Sequence, residues 1–138
     1  MPGLRHIPAA DLSDETTQTP GMRRREAIAG KTVGSNGVWM GETRMAPATR
    51  SADHHHGATE TAIYVVSGHP RFVFLVDGQE TAIEPEPGDY VFVPPWAPHR
   101  EENPSPDTEA VVVIARSSQE AVVVNLPSLD ASLDAPSS

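Results

Sequence analysis

Short runs of Val, Ile and other apolar residues recur along the middle of the chain, separated by Gly, Pro and charged residues. Runs of this length, rich in β-branched residues, are typical of strands in an all-β protein. The pattern predicts strands at residues 38–45, 62–67, 71–76, 79–83, 90–93, 99–103, 109–115 and 122–126. Asp77-Gly78 predicts a tight hairpin, and residues 22–29 fit a short helix and a strand equally well. Many short strands with turn signals between them favour a sandwich or a small barrel.

The length and the apolar content fit one domain with a modest core, because the chain has 138 residues, of which 38% are hydrophobic. Residues 1–21 are polar and rich in proline, so we expect an extended N-terminal arm. Residues 22–126 hold the strand pattern and are expected to form the β-barrel. Residues 127–138 have too little apolar surface to offset their ordering entropy and are predicted to be a flexible tail.

Charge and composition exclude several classes of function. The formal charge of −9 at pH 7 repels phosphate backbones and anionic membranes, so neither nucleic acid nor a membrane is an expected partner. The N-terminus lacks the apolar core of a signal peptide, which predicts a cytoplasmic location. The chain has no cysteine, which excludes thiolate catalysis and thiolate metal ligands.

Histidines are the residues that point to chemistry. His54, His55 and His56 are consecutive, and alternate side chains of an extended segment share a face, so His54 and His56 can act together while His55 points away. Neutral imidazole is a ligand for Zn, Fe, Ni and Cu. By itself such a run fits a solvated polar loop as well as a metal site. His99 follows a proline-rich turn, which restricts the backbone and gives this histidine a repeatable position.

The segment around this turn resembles a motif of the cupin superfamily, G(X)5PXG(X)2H(X)3N. Gly88, Pro94, His99 and Asn103 match the motif with every spacing kept. Trp96 stands where the family usually has glycine.

A second cupin motif, G(X)5HXH(X)3-4E(X)6G, lies earlier in the chain. It matches at His54-X-His56 and ends at Gly68. The resemblance covers about residues 38–115, and both motifs occur in the family's order. It implies an all-β, single-domain cupin of the RmlC-like type, with a double-stranded β-helix, or jelly-roll, barrel.

The resemblance implies that His54, His56 and His99 bind a metal on the inner wall of the barrel. The family's fourth ligand is usually a glutamate, and its position here stays open. Counting forward from His56 reaches Glu60, whereas counting back from the closing glycine reaches Thr61. Strand alternation favours Thr61 as the inward residue, so Glu60 can bind only if a bulge shifts the register.

Further residues are candidates for the cavity wall, although packing explains Trp39, Met40 and Tyr64 better. Glu101 shares the face of His99, so its carboxylate fits either a contact with a metal ligand or a solvated edge of the sheet. The complete set is Trp39, Met40, Arg44, Tyr64, Trp96 and Glu101.

Two functions remain open from the sequence. The first is a metal-dependent enzyme that uses one divalent transition metal (Zn, Fe, Ni, Mn or Cu) to act on a small organic molecule as a dioxygenase, lyase, isomerase or cyclase. The alternative is a non-catalytic module that binds or senses a small ligand. Because both faces of residues 71–76 carry apolar side chains, we also expect a homodimer.

Overall fold

The computed structural model describes residues 3–130, and β-strands dominate it. The helical elements are a 3-10 turn at Ala9–Asp11 and the single-turn helix α1 at Gly30–Val33. The strands are β1 (Met22–Ile28), β2 (Trp39–Met45), β3 (Thr49–Arg50), β4 (His54–His55), β5 (Thr61–Ser67), β6 (Arg71–Val76), β7 (Gln79–Ile83), β8 (Tyr90–Val93), β9 (His99–Asn103), β10 (Ala110–Arg116) and β11 (Val124–Asn125). No helix within residues 3–130 is long and apolar enough to cross a membrane.

The strands form two antiparallel sheets that face each other as a jelly roll. The first sheet has the order β1-β2-β10-β5-β8, and the second has the order β11-β4-β9-β6-β7, with β3 also paired to β9. The all-β cupin fold predicted from the sequence is thereby confirmed. Each predicted strand is present with its ends shifted by at most two residues, and residues 22–29 adopt the strand alternative. The pattern missed β3 and β4, because a strand of two residues is too short to show an alternation.

The core lies between the sheets and is built by strand alternation. On β5 the buried residues Thr61, Ile63 and Val65 alternate with exposed neighbours. Ile63 and Val65 pack with Phe72 of β6 and Val112 of β10, all at most 3% exposed. Full burial of each such apolar side chain contributes about 1.5–3 kcal/mol. The contact between the sheets therefore fixes which face of every strand points inward.

Asn103, the last residue of the proline-rich motif, has a structural position at the far end of β9. Its side chain is 1% exposed. The amide Nδ2 lies 3.0, 3.2 and 2.8 Å from the carbonyl oxygens of Met45, Ala46 and Thr108. These contacts join the end of β9 to the end of β2, and they satisfy backbone groups that lie beyond the ends of the ladders.

Both terminal segments contact the barrel within the described residues. The expected N-terminal arm lies along β1, where the side-chain amide of Gln18 bonds both backbone groups of Arg24 at 2.7 and 2.8 Å. At the other end Leu129, which belongs to the predicted tail, is only 3% exposed. Residues 131–138, the remainder of that tail, lie outside the described residues.

Substitution of Gly68 tests how closely the end of β5 packs against β10. Its φ is +80°, and an added Cβ would lie 2.7 Å from both the Cα of Ala110 and the carbonyl oxygen of Glu109. We expect Gly68→Ala to lower the free energy of unfolding by about 3 kcal/mol, because positive φ and overpacking act together.

The matched control is Gly78→Ala in the β6–β7 hairpin. Gly78 has φ +77° but no atom within 4 Å of the added Cβ, so its cost is about 1 kcal/mol of backbone strain. Urea unfolding of both variants measures the difference, and equal losses would show that the backbone does not approach so closely at Gly68.

Candidate metal centre

Pairing of β4 with β9 brings the histidines of the two motifs together. His54 lies directly opposite His99 across the two strands. The ring centroid of His54 is 4.5 Å from that of His99 and 4.8 Å from that of His56, and the His56–His99 distance is 5.0 Å. The distant motifs therefore meet as neighbours in one sheet, with three imidazoles in a single cluster.

Backbone carbonyls set the orientation of all three rings. Each Nδ1 lies within hydrogen-bond distance of a carbonyl oxygen, which can only accept, so each Nδ1 carries the proton. The pairs are His54 with Ala52 at 2.7 Å, His56 with Val122 at 2.8 Å and His99 with Ala97 at 3.0 Å. In this tautomer the lone pair is on Nε2, which is the arrangement found in metal-binding histidines.

Glu101 adds an oxygen to the cluster. It lies two residues after His99 on the same face of β9, and its side chain and the three histidines offer ligand atoms that all lie within 4.8 Å of one another. Its Oε1 is 3.7 Å from Nε2 of His99, which is too long for a hydrogen bond. Among the described residues, Nε2 of His99 is a buried atom without any hydrogen-bond partner.

These donors fit a metal ion. Nitrogen and oxygen ligands lie about 2.0–2.2 Å from a zinc-like ion, so their mutual distances in a complex are about 3–3.5 Å. Small side-chain shifts are enough to bring the observed cluster to that spacing. A buried Nε2 needs a partner, from water or from the protein. A bound cation would be that partner for His99.

The electrostatics of the cluster favour the unprotonated form of His54, His56 and Glu101, but not of His99. Burial lowers the pKa of His54 below its ordinary value and that of His56 to about 4, so both rings are neutral at pH 7. Burial alone would lower the pKa of His99 as well, but the adjacent Glu101 carboxylate outweighs it and raises that pKa. Burial opposes ionisation of Glu101, yet the His99 ring and the other imidazoles lower its pKa to about 2.

Glu60 lies outside this cluster. It is exposed, whereas the next residue, Thr61, is buried and points inward. The β5–β8 pairing runs from Thr61 without a register shift, so no bulge turns Glu60 toward the histidines. The carboxylate close to the imidazoles is that of Glu101, which strand alternation on β9 places beside His99.

His55 has the opposite orientation to its neighbours. Its Nδ1 accepts a hydrogen bond of 2.9 Å from the backbone N–H of Gly57, so its proton is on Nε2. Its ring lies 5.6 Å from the ring of Trp96, on the side away from the cluster. Trp96 is 63% exposed and lies beside this histidine, with the two rings inclined by 56°, rather than lining a cavity with the ligands.

Non-glycine residues occupy left-handed backbone positions where both cupin motifs have glycine. Trp96 has φ +63°, and Ala48, six residues before His54, has φ +55°. A left-handed residue with a Cβ costs about 1–2 kcal/mol. The backbone N–H of Trp96 donates to the carbonyl of Gly57 at 2.7 Å, which ties the turn before His99 to the loop after His56.

The remaining candidates from the sequence do not reach the cluster. Met40 and Arg44 lie on the outer face of β2, because alternation points Trp39 and Thr43 inward instead. Tyr64 is on the outer face of β5. Trp39 is buried, with the guanidinium of Arg116 stacked 3.9 Å from its ring.

Two cavities of different character border the ligand group. The larger has a volume of about 560 Å³, includes His99 in its wall and is otherwise mostly apolar. Its apolar walls include Phe72, Phe74, Val91 and Leu129. The smaller, about 60 Å³, lies at His56 and Glu101 and has a mixed lining of threonines, two arginines and apolar residues of β10 and the segment before β11.

Comparison with known proteins identifies the family. The profile of the cupin domain family matches residues 41–115, more than half of the chain. The chain is a cupin. No curated protein sequence matches this cupin.

Solved structures with the same fold carry different activities. The polyketide cyclase RemF from Streptomyces resistomycificus superposes with a TM-score of 0.74 at 20% identity, covering 94% of this cupin and 89% of RemF. Oxalate decarboxylase from Bacillus subtilis gives 0.68 at 23% identity over 81% of this chain, which corresponds to only 30% of that enzyme. An oxalate oxidase in complex with glycolate gives 0.67 at 22% identity, covering 83% of this chain and 60% of the oxidase. At these identities the likeness shows the fold alone.

Several residues near the cluster escaped sequence reasoning. Arg24, Thr59 and Arg116 line the smaller cavity of the cupin. The alternation of β1 gave a usable signal for Arg24, since it lies between outward-facing neighbours. Thr59 and Arg116 gave none, because their placement depends on pairing between distant strands.

Burial of His56 predicts a pH dependence for the metal-free protein. The unfolded chain binds a proton near pH 6.5, whereas folded His56 binds it near pH 4. Unfolding therefore takes up a proton between these values, and the free energy of unfolding falls as the pH drops from 6.5 to 4. Allowing for partial exposure, the contribution of His56 is about 2 kcal/mol.

Urea unfolding in the presence of a chelator, at pH 7 and at pH 4.5, measures this slope. Glu101 contributes to the decrease only close to pH 4.5, where the unfolded carboxyl begins to take up a proton, and it does so in both proteins to be compared. We expect His56→Gln to show a shallower decrease than the wild type. An identical decrease in both proteins would contradict the assignment.

Proposed function

We propose that this cupin binds one divalent transition metal ion through His54, His56, His99 and Glu101, and that it acts on a small organic molecule there. The observation that carries the proposal is the buried Nε2 of His99, which has no hydrogen-bond partner among the described residues and lies in a cluster of ligand atoms. A buried polar atom without a partner costs about 1–3 kcal/mol, and a cation would remove that cost.

Three imidazoles that present Nε2 and one carboxylate suit Zn, Fe, Ni, Mn or Cu. A metal in this site would act as a Lewis acid and stabilise negative charge that develops on a bound substrate. The protein's own part is to hold the imidazoles in the Nε2-binding tautomer and to supply, through Glu101, a charge that partly neutralises the ion. Oxalate decarboxylase from Bacillus subtilis, which has a similar fold, has Mn(II) centres, which supports a hard or borderline ion here.

The apolar cavity beside His99 supports a small organic substrate. Its volume of about 560 Å³ is within the range of small-molecule sites, about 300–1,000 Å³. RemF is a polyketide cyclase and the other neighbours act on oxalate, so the fold admits several reaction types. We therefore propose a dioxygenase, lyase, isomerase or cyclase reaction at the metal.

A non-catalytic ligand-binding module is the second candidate. The number of protein donors favours this candidate if the bound ion is zinc. Four protein donors fill a tetrahedral zinc site, which is the arrangement of structural zinc. Octahedral Fe, Mn or Ni would keep two positions for substrate. The identity of the ion therefore separates the two candidates.

Metal content of tag-free protein tests the site. We expect about one ion per chain in the wild type and near-background metal in His54→Ala and His99→Ala, because each removes an imidazole ligand. Glu101→Gln should weaken metal binding by about 10- to 100-fold, since it removes the only carboxylate of the group. Elemental analysis and competition with a chelator measure both effects, and an activity screen with the ion found follows.

The matched controls are His55→Ala and Glu60→Gln. Both change residues that flank the cluster but face away from it, so both should keep the wild-type metal content. Metal loss in either control equal to that of His99→Ala would sink the proposed ligand set.

We also propose that the chain forms a homodimer, although not through the strand that first suggested it. On the outer face of β6, Val73 is only 4% exposed and offers little apolar surface to a partner. Four exposed apolar side chains lie together on the outer face of β5 and on the edge strand β8. They are Tyr64, Val66, Tyr90 and Phe92, which are 36%, 46%, 79% and 59% exposed.

Light scattering at micromolar concentration tests the dimer. We expect a dimeric mass for the wild type and a monomeric mass for Phe92→Glu, because a buried unpaired charge opposes association. Val76→Glu, at an exposed apolar position on another strand, is the control and should stay dimeric. A monomeric wild type would refute the proposal. The cytoplasmic location stays a prediction from the sequence.

A further inference from the structure

The smaller cavity beside the histidine cluster is lined by two arginines that have no carboxylate partner among residues 3–130. Arg24 of β1 and Arg116 of β10 line this cavity together with His56, Thr61 and Glu101. The chain has a net charge of −9, so carboxylates are plentiful. Two arginines without a carboxylate beside the candidate metal ligands therefore call for an explanation.

Strand alternation on β1 separates Arg24 from its neighbours. Arg23 lies 3.0 Å from Asp14, and Arg25 lies 2.8 Å from Glu42. Arg24 lies between them and shares the inward face of the strand with buried Met22 and Glu26. Within residues 3–130, no carboxylate oxygen lies within 4.0 Å of its guanidinium, and the same holds for Arg116.

Much of the donor capacity of Arg24 is unused. Its Nη1 donates to Thr19 Oγ1 at 2.8 Å and to the carbonyl of Thr17 at 3.4 Å. Its Nε and Nη2 have no protein acceptor among the described residues. A guanidinium with free donors in a fork arrangement is suited to binding an oxyanion through two hydrogen bonds.

Arg116 increases the positive potential beside the cavity. Its Nε and Nη2 donate to the carbonyls of Ser118 and Gln119, and its guanidinium stacks on Trp39, so among residues 3–130 no carboxylate pairs with it directly. Burial and the nearby charge of Arg24 lower the pKa of Arg116, and Glu26 opposes this only in part. Glu26 itself lies 3.3 Å from Lys31, so it is shared with another cation.

We propose that Arg24, supported by Arg116, binds an anionic oxygen group of the substrate, either a carboxylate or a phosphate, while the substrate approaches the metal. This inference rests on the proposed function, because it assigns the substrate class of the same site. A volume of about 60 Å³ admits a small polar group but no ring system. The apolar remainder of such a substrate would occupy the larger cavity at His99.

Calorimetric titration of the metal-loaded protein tests the inference with a charged and neutral pair of ligands, phenylacetate and phenylacetamide. Phenyl phosphate is the third ligand and distinguishes a phosphate from a carboxylate. We expect an anion to bind more tightly than phenylacetamide. Arg24→Gln should weaken binding of that anion by about 10- to 100-fold, the usual effect of losing a charge-assisted hydrogen bond, and leave phenylacetamide unchanged.

Arg23→Gln is the matched control, because it removes the same charge from the adjacent, outward-facing position. It should change the affinity for no ligand, whereas Arg24→Lys should recover part of the affinity for the anion. Lys keeps the charge without the fork, so this variant carries the test if Arg24→Gln proves unstable in a thermal melt.

Two results would overturn the inference. The first is that neither anion binds more tightly than phenylacetamide. The second is that Arg24→Gln and Arg23→Gln weaken anion binding equally, which would indicate net charge alone. Metal content, measured on the same samples, keeps the two proposals distinct. If protein incubated with the ion retains no metal but still binds the anion through Arg24, the metal site is refuted and the anion subsite is retained.

Discussion

The hydrogen bonds from imidazole Nδ1 atoms to backbone carbonyls are the constraint on which the rest of the site depends. The carbonyls belong to three separate places: the loop before β4, the proline-rich turn before β9 and the segment before β11. Each ring is oriented only if its own segment is in place. The tautomer needed for ligation is therefore a consequence of barrel closure, and partial unfolding of any of these segments would release one ligand.

Strand β9 keeps two kinds of charge apart. His99 and Glu101 point into the barrel, while Arg100 and Glu102 point out and join an ion-pair network on the surface. Because successive side chains alternate across a strand, the outer charges do not compensate the inner carboxylate. Glu101 is left with imidazoles as its main partners, and this favours a cation at the centre of the cluster.

The two cavities reach the histidine cluster at different residues and differ in their lining. One cavity is mostly apolar and reaches the cluster at His99, and the other carries two arginines in a mixed lining and reaches it at His56 and Glu101. A ligand that is apolar at one end and anionic at the other would match both cavities. Cupins of similar fold carry cyclase, decarboxylase and oxidase names, so the barrel itself does not select a reaction. Selection depends on the residues that line these cavities.

Local spacing along the chain determined the strands, the Asp77-Gly78 hairpin and the shared face of His54 and His56, because alternation and turn chemistry act between near neighbours. The tertiary structure decided what depends on strands meeting across the barrel. It placed Glu101 in the cluster rather than Glu60, and it turned Arg24 toward a cavity instead of a carboxylate. The physical reason is that burial and charge partners come from segments far apart in the chain, and no local pattern encodes which of them will pair.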